Sequence, residues 1–513
     1  GRRADFQSAA GYQPALHWDL LSEISWKRWT LLFASAVALF FLYFFGLTRA
    51  GMLGPDEPRY AAIGAAMAQS GDWVTPRLWG IRWFEKPALL YWMTATAFKA
   101  GLDEDLAPRL PVAILSAGFL IFFFFALRRE FGERAAWYST AILATSAGWL
   151  AYSHSAVPDL PVSATFAAAM LSVMPRRATA TDVFPSRDRR QQASSMDGLV
   201  RGQAEVLRVP LAKGAVLSAG ILLGLAVLAK GLVPLALFLP AVWFLRRRLR
   251  DLCLLLAATA AIATPWYALV ILRNGQPFID EFFWTQHFGR LASHALMHER
   301  PFWFYAPVLL TGFFPWIPLF ALLFVKRTDK DQRVVFLLVW VAWGLIFFSV
   351  FLNKLPGYVL PLFPAIAALL GIALAQTEQK TTKMVWLLGT CGALFWIVPA
   401  IQSVLPRALQ SGMSRASIQL PIAWIFPALA LGIVCALLER SGRRDACVAM
   451  IALVAIASVV ALILKVCPIL DATVSARGTW KSSVSPITCV TDPNRSRLYG
   501  LNYYAGTDLP DCK

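Results

Sequence analysis

The sequence predicts an all-α polytopic membrane protein of about thirteen transmembrane helices. Three observations carry that expectation. Hydrophobic residues make up 58% of the 513 and charged residues only 15%, whereas a soluble chain of ordinary composition is about a quarter charged. Apolar segments of roughly 17 to 22 residues recur along the chain, the length a helix needs to cross about 30 Å of hydrocarbon. Lys and Arg gather in the short turns between them: 28 fall at one set of ends and turns, against 20 on the other side, mostly in long loops and the tail. That is the positive-inside pattern, so the net charge of +18 reports orientation rather than a nucleic-acid footprint.

Taken in order, Arg2, Arg3, Lys27 and Arg28 precede the first segment, 29–47, and set the N-terminus in the cytoplasm. This segment is too long for a signal-peptide core and lacks a small-residue cleavage site, so it is expected to stay as an anchor. It leads to an outer loop, 48–107, in which Glu57 to Gln69 and Pro87 to Lys99 read as short helices, the second lying along the membrane interface. Segments 108–127 and 135–152 flank the basic inner turn Arg128 to Arg134, and 156–174 follows the outer turn at Pro158-Asp159. Residues 175–213 form a polar inner loop with eight basic residues, expected to be mobile. Segments 214–229 and 232–245 make a hairpin with its tip at Lys230-Gly231, and 252–272 leads to the outer loop 273–302. Six more segments follow at 303–324, 334–351, 359–376, 384–404, 420–438 and 445–466, with inner turns at Lys326–Lys330, Lys380–Lys383 and Arg440–Arg444. The chain thus divides into a membrane domain, 1–466, and a short outer tail, 467–513. No internal repeat marks it as a transporter built from related halves.

The polar constellations all fall on the outer side. Asp56 and Glu57 begin a helix at the membrane edge, and Arg59, Tyr60, Glu85 and Lys86 share their loop. Capping and helix-dipole stabilisation explain one acid, and Glu57 fits that role; ionisable groups at membrane depth are functional by default, which favours Asp56. Lys86 either snorkels toward headgroups or serves as a point charge for a phosphate, with Arg59 beside it. Asp159 is a turn former or a second acid. Lys230 and Lys354 snorkel or bind an anion, and Arg273 opens the second outer loop as a further candidate cation. His287, His294 and His298 share that loop, where a metal with Glu85 competes with plain hydrogen bonding. Cys253, Cys391, Cys435 and Cys447 read as small core residues, with no zinc-type spacing. Cys489 and Cys512, in the tail, are expected to form a disulfide in an oxidising compartment, closing a loop around Tyr499, Tyr503 and Tyr504.

Asp56-Glu57-Pro58-Arg59-Tyr60, Ser70 to Pro76 and Phe84-Glu85-Lys86-Pro87 together resemble the first periplasmic loop of the lipid A 4-amino-4-deoxy-L-arabinose transferases. These are protein O-mannosyltransferase-like glycosyltransferases of the C fold (GT-C). Val157-Pro158-Asp159, Ala229-Lys230-Gly231, His298 to Tyr305 and Lys354-Leu355-Pro356-Gly357-Tyr358 continue the resemblance to about position 365. The paired-acid motif with its Glu-Lys-Pro echo is specific to the aminoarabinose branch; the Lys-Leu-Pro-x-Tyr element is shared more widely. The resemblance implies a GT-C fold with periplasmic juxtamembrane helices and a small periplasmic C-terminal region, in the bacterial inner membrane. It implies a sugar donor on undecaprenyl phosphate, a lipid A phosphate as acceptor, and polymyxin resistance as the outcome. By position, Asp56 becomes the catalytic acid with Asp159 and Glu57 as further acids. Lys86 holds the donor phosphate with Arg59 and Tyr60. Tyr358, Lys354, Arg273 and Lys230 are the cavity residues, and Glu85 with His287 is the place for a structural zinc. The tail of about 45 residues is short for the periplasmic domain of the family.

In that chemistry the donor phosphate leaves, and cations stabilise the charge that develops on it. An anionic acceptor needs little deprotonation, so Asp56 and Asp159 position groups; a hydroxyl acceptor would make Asp56 a general base. The anomeric centre should invert. No nucleotide is expected, because no phosphate-binding Gly-rich loop occurs, and the partners are the lipid-linked donor, lipid A and membrane lipids, with no nucleic acid, around a monomer. Two alternatives stand beside this reading: a sister transferase using another polyprenyl-phosphate sugar, and a lipid-linked sugar transporter. The second predicts charges inside the spans, which are nearly free of them.

Overall fold

The structure, a computed structural model, describes residues 26–176, 211–289, 299–324, 331–411, 422–483, 487–491 and 494–512. Most of the expected loop 175–213, together with His294, His298 and Lys326–Lys330, lies outside the described residues. Each of the thirteen expected segments is helical, but not all are whole. Among the described residues, eight helices are long and apolar enough to cross a membrane, beginning with Leu110–Phe131, Lys213–Lys230 and Leu249–Asn274 and ending with Arg444–Thr473. The first segment holds Trp26–Tyr43, and the one at 303–324 is a short helix, Tyr305–Gly312, run on from a 3₁₀ turn. The segment at 135–152 breaks at Ser146, whose backbone is extended, into Glu133–Thr145 and Ala147–Ser153. The segment at 232–245 splits into Val233–Leu237 and Leu239–Leu245, each with a proline in its first turn, where the missing N–H costs no hydrogen bond. The segment at 156–174 is a helix of 14 residues, Asp159–Ser172. A helix that short does not span the hydrocarbon, and it is buried against Lys213–Lys230 and Leu110–Phe131 rather than facing lipid.

Small residues set the closest approaches. The helix Phe363–Gln376 lies against Glu133–Thr145, and a Cβ on Gly371 would collide with the backbone and side chain of Ser139. Lys213–Lys230 lies against Leu249–Asn274, where a Cβ on Gly220 would sit 2.5 Å from the Leu255 carbonyl oxygen. Lipid provides no hydrophobic drive between helices, so such contacts supply the dispersion energy that holds them together. The helix surfaces turned away from one another carry Phe33, Phe125, Leu272, Trp386 and Phe426, all large and exposed, as lipid-facing positions should be in a multi-pass membrane protein.

The two ends of the bundle are chemically separate. At one, the basic turns tie to each other: Arg134 pairs with Asp445 at 3.0 Å, and Arg333 donates to the Glu130 carbonyl. There Arg444, buried, pairs with Glu439 at 2.5 Å and donates to the carbonyls of Leu374, Thr377 and Glu378. At the other end lie the acidic motif, the turns at 154–159 and 230–231, and the tail. On the motif end the chain forms the helix Asp56–Ser70, a hairpin pairing Arg77–Leu78 with Ile81–Arg82, and the helix Leu89–Lys99. The first of these begins with two acids, which complement the positive end of its dipole, and stops at Gly71, whose φ of 73° closes it. The short tail folds too. Helices Ala476–Ser482 and Arg495–Ala505 pack together and onto the motif helix, and Cys489 is bonded to Cys512 as expected.

Candidate active site

Glu57 anchors the motif helix. Its carboxylate meets Arg109 Nε and Nη2, each at 2.7 Å, and accepts from the amides of Leu53 at 2.9 Å and Ala156 at 3.0 Å. Arg109 in turn donates to the carbonyls of Leu47, Ala50 and Gly51. Both side chains are only 4% exposed. The pair gathers the end of the first helix, the motif and the turn before Asp159 into one joint. The structure thus places Glu57, expected as a candidate catalytic acid, in a structural joint, with both carboxylate oxygens engaged and outside the lining of the cavity described below. The signal in the sequence was Arg109, a charge at the mouth of an apolar segment that needs a partner.

Two residues on, Arg59 turns to the other side. It donates to the Pro55 carbonyl at 3.0 Å, to Glu85 Oε2 at 3.2 Å, and to Asp56, with which it is paired. Glu85 also receives Lys86 Nζ at 3.0 Å and the Tyr60 hydroxyl at 3.4 Å. Burial depresses the Arg59 guanidinium, but the charges of Glu85 and Asp56 more than offset it and leave its pKa raised. Burial pushes the Tyr60 phenol well above its ordinary value, with the Glu85 and Asp56 charges adding to it. At neutral pH Tyr60 is thus a donor and never a phenolate. Asp56, with its side chain 50% exposed, is the one acid of this group open to solvent.

The second network lies across the chain. Lys230 Nζ is 2.6 Å from Asp159 Oδ1 and 4.8 Å from the centre of the Tyr358 ring. A Cβ on Gly357 would lie 2.5 Å from Asp159 Oδ1, so only glycine lets the Pro356–Leu362 turn close over that carboxylate. Asp159 opens its helix as the turn reading expects, and it also holds a lysine.

The networks meet at a cavity of about 420 Å³ lined by Glu85, Lys86, Lys230 and Tyr358. Its remaining walls are mostly apolar, among them Val162, Leu237, Phe282, Phe348 and Pro361. Gln286, which no sequence argument singled out, also lines it, and its side-chain oxygen is buried without a hydrogen-bond partner among the described residues. It sits in a π-helix, Ile279–Gly289, an irregularity common near functional sites. Two expected cavity cations are elsewhere. Arg273 is half-exposed and pairs with Asp72 at 3.0 Å, and Lys354 is buried, donating to the carbonyls of Arg300 and Phe351. Both brace loops instead of lining the cavity. As for zinc, Glu85 faces two cations, which disfavours it as a metal ligand, and no group of three metal-binding side chains occurs among the described residues. The His287 side chain lies outside the described residues.

Comparison with known proteins places this geometry. The dolichyl-phosphate-mannose-protein mannosyltransferase family model matches residues 28–182, the stretch that carries the motif helix, Lys86 and Asp159. The undecaprenyl phosphate-α-4-amino-4-deoxy-L-arabinose arabinosyl transferase of Serratia proteamaculans is 30% identical over 426 residues, 79% of this chain and 69% of its own length. The enzyme of that name from Erwinia tasmaniensis is 30% identical over 399 residues, 75% of this chain and 66% of its own. The chain spans about two thirds of the length of these curated relatives. The crystal structure of ArnT from Cupriavidus metallidurans bound to undecaprenyl phosphate superposes with a TM-score of 0.70 at 24% identity, covering 94% of this chain and 89% of that one. That likeness shows the fold, the GT-C architecture expected from the motifs. On identity and coverage, the chain belongs to the undecaprenyl phosphate-α-4-amino-4-deoxy-L-arabinose arabinosyl transferase family.

Proposed function

We propose that the protein transfers 4-amino-4-deoxy-L-arabinose from undecaprenyl phosphate to a lipid A phosphate. The observation that carries this reading is the cavity, whose apolar walls run up to two lysines, Lys86 and Lys230. A polyprenyl phosphate is a ligand of that kind, with apolar isoprene against Phe348, Phe282 and Leu237 and one anionic head for the cations. Lysine takes a phosphate as a point charge, and as the glycosidic bond to the phosphate breaks, the growing negative charge is met by ammonium groups already in place. Glu85 keeps Lys86 oriented, and Asp159 does the same for Lys230. The sugar's 4-amino group, an ammonium at neutral pH, is held by Asp56, the acid left open to solvent. Gln286 supplies an acceptor for a sugar hydroxyl. The acceptor phosphate attacks the anomeric carbon from the face opposite the leaving group, with inversion, and needs no strong base.

The reading extends to location. The motif end faces the periplasm and the basic end the cytoplasm of a bacterial inner membrane, as the excess of Lys and Arg supports, and the chain acts as a monomer. The test is polymyxin survival together with lipid A mass spectrometry in a transferase-null Gram-negative strain carrying wild type, Asp56→Ala or Lys86→Ala. An aminoarabinose mass increment with wild type alone is expected. No increment despite verified membrane expression overturns the assignment of the sugar or acceptor, and an increment of another mass names a sister transferase.

A further inference from the structure

We infer that Tyr499, in the disulfide-closed tail, is a positioning residue for Arg59 and makes the tail part of the donor site. The inference rests on the proposed donor site and on the place beside Lys86 that the family resemblance gives Arg59. The Arg59 guanidinium lies 5.2 Å from the centre of the Tyr499 ring, 5.6 Å from that of Trp83 and 5.8 Å from that of Tyr60, so aromatic rings from separate parts of the chain gather around it. The Tyr499 ring is itself stacked on Trp79, at 5.7 Å and 27° between planes. Arg495 lies over the same tyrosine at 5.7 Å, on the tail's own helix.

Two independent observations say that these rings are present for their faces. Trp79 occupies the tip of the hairpin with φ of 48°, a left-handed conformation that L residues with bulky side chains rarely adopt. Glycine follows it, and glycine or asparagine would fit its own position without strain. The chain bears that strain at the residue that backs Tyr499. Moreover, the indole nitrogens of Trp79 and Trp83 are buried without a hydrogen-bond partner among the described residues. Their neighbours Trp92 and Trp266 donate to the carbonyls of Trp73 and Val74. Buried indoles usually find an acceptor; these two lack one, and their rings are engaged through their faces, Trp83 with Arg59 and Trp79 with Tyr499. Aromatic faces orient a guanidinium without taking up its hydrogen-bond donors, and here they act beside the carboxylates of Asp56 and Glu85 that pair with Arg59.

The tail is fixed well enough to do this. Tyr504 donates to Asp105 at 2.9 Å and accepts from the Met52 amide at 2.9 Å, and Arg477 pairs with Asp105 at 2.5 Å. The experiment titrates the full chain in lipid nanodiscs with undecaprenyl phosphate, comparing wild type, Tyr499→Leu, Tyr499→Phe, Arg59→Ala and the double variant Arg59→Ala/Tyr499→Leu. Tyr499→Leu should weaken binding about five-fold, the scale of a partly buried cation–aromatic contact. Tyr499→Phe, which keeps the ring face, should stay within about two-fold of wild type. In the Arg59→Ala background, Tyr499→Leu should have no further effect, whereas a general loosening of the tail would add its full loss. Wild-type binding by Tyr499→Leu, equal losses for Leu and Phe, or an undiminished loss in the double variant overturns the inference. If Tyr499→Leu is silent while Arg59→Ala binds poorly, the donor-site reading stands and the tail's role falls. If Arg59→Ala binds as wild type, both fall.

Discussion

At the scale of single residues, the motif separates side chains that differ by one or two positions. Glu57 and Asp56 are adjacent acids, yet one is sealed with Arg109 and the other is open. Removing one partner of a sealed pair leaves a buried charge, which costs about 3–5 kcal/mol. Glu57→Gln should therefore lower the unfolding temperature in detergent while leaving the donor KM of the surviving folded enzyme near wild type. A large rise in KM without loss of stability would return Glu57 to the cavity. Lys230 makes the opposite prediction. Lys230→Met deletes a cation from the cavity wall and releases Asp159, and should weaken undecaprenyl phosphate binding by about 10- to 100-fold, the range of one charge-assisted hydrogen bond. Titration of the purified variant reads this directly, and unchanged affinity would remove Lys230 from the site. The residue types of this site were legible in the sequence, since acids and lysines beside a bilayer need partners. Which acid met which cation was not. Glu57 and Arg109 are 52 positions apart, and no local pattern joins them.

At the scale of elements, helix contacts depend on missing atoms. Gly220→Leu would drive a side chain into the backbone of the helix Leu249–Asn274, at a position where a Cβ alone comes within 2.5 Å of a carbonyl oxygen. Overpacking of this kind costs about 1–3 kcal/mol, so the variant should unfold at lower temperature than Gly214→Leu, where the added Cβ meets nothing within 4 Å. Equal unfolding temperatures would show that the two helices can separate freely. Hydropathy located each apolar segment within a few residues, since a stretch without charges is local information. It overstated the length of several. The break at Ser146 and the short helix Asp159–Ser172 occur where the surroundings are protein, and only there can a segment stop short without leaving its ends unsatisfied. The hairpin at Arg77–Arg82, too short to leave a periodic signal, went unread, as did the π-helix that brings Gln286 to the cavity.

At the scale of the whole molecule, the tail packs onto the motif helix, and its disulfide closes the loop that carries the packing helix. The bond joins residues 23 apart, and a loop of that length stabilises the segment by roughly 3 kcal/mol through the chain entropy it removes. Cys489→Ser/Cys512→Ser should accordingly speed hydrogen exchange across 494–505 while leaving the helices of the bundle as protected as before. Unchanged exchange in the tail would mean that Arg477, Tyr503 and Tyr504 suffice to hold it.

The sequence by itself determined the class of the protein, the places of its apolar segments, the cysteine pair and the residue types gathered around the motif. These are properties of composition and short-range pattern, and a bilayer reads them directly because hydrocarbon excludes charge. Only the tertiary structure decided which charges were spent on one another and which line the cavity. It took Glu57, Arg273 and Lys354 away from the cavity, added Gln286, and laid Tyr499 on Arg59 across 440 positions of chain. Those choices follow from packing between distant segments, where a single buried ion pair or a ring face outweighs any preference written nearby.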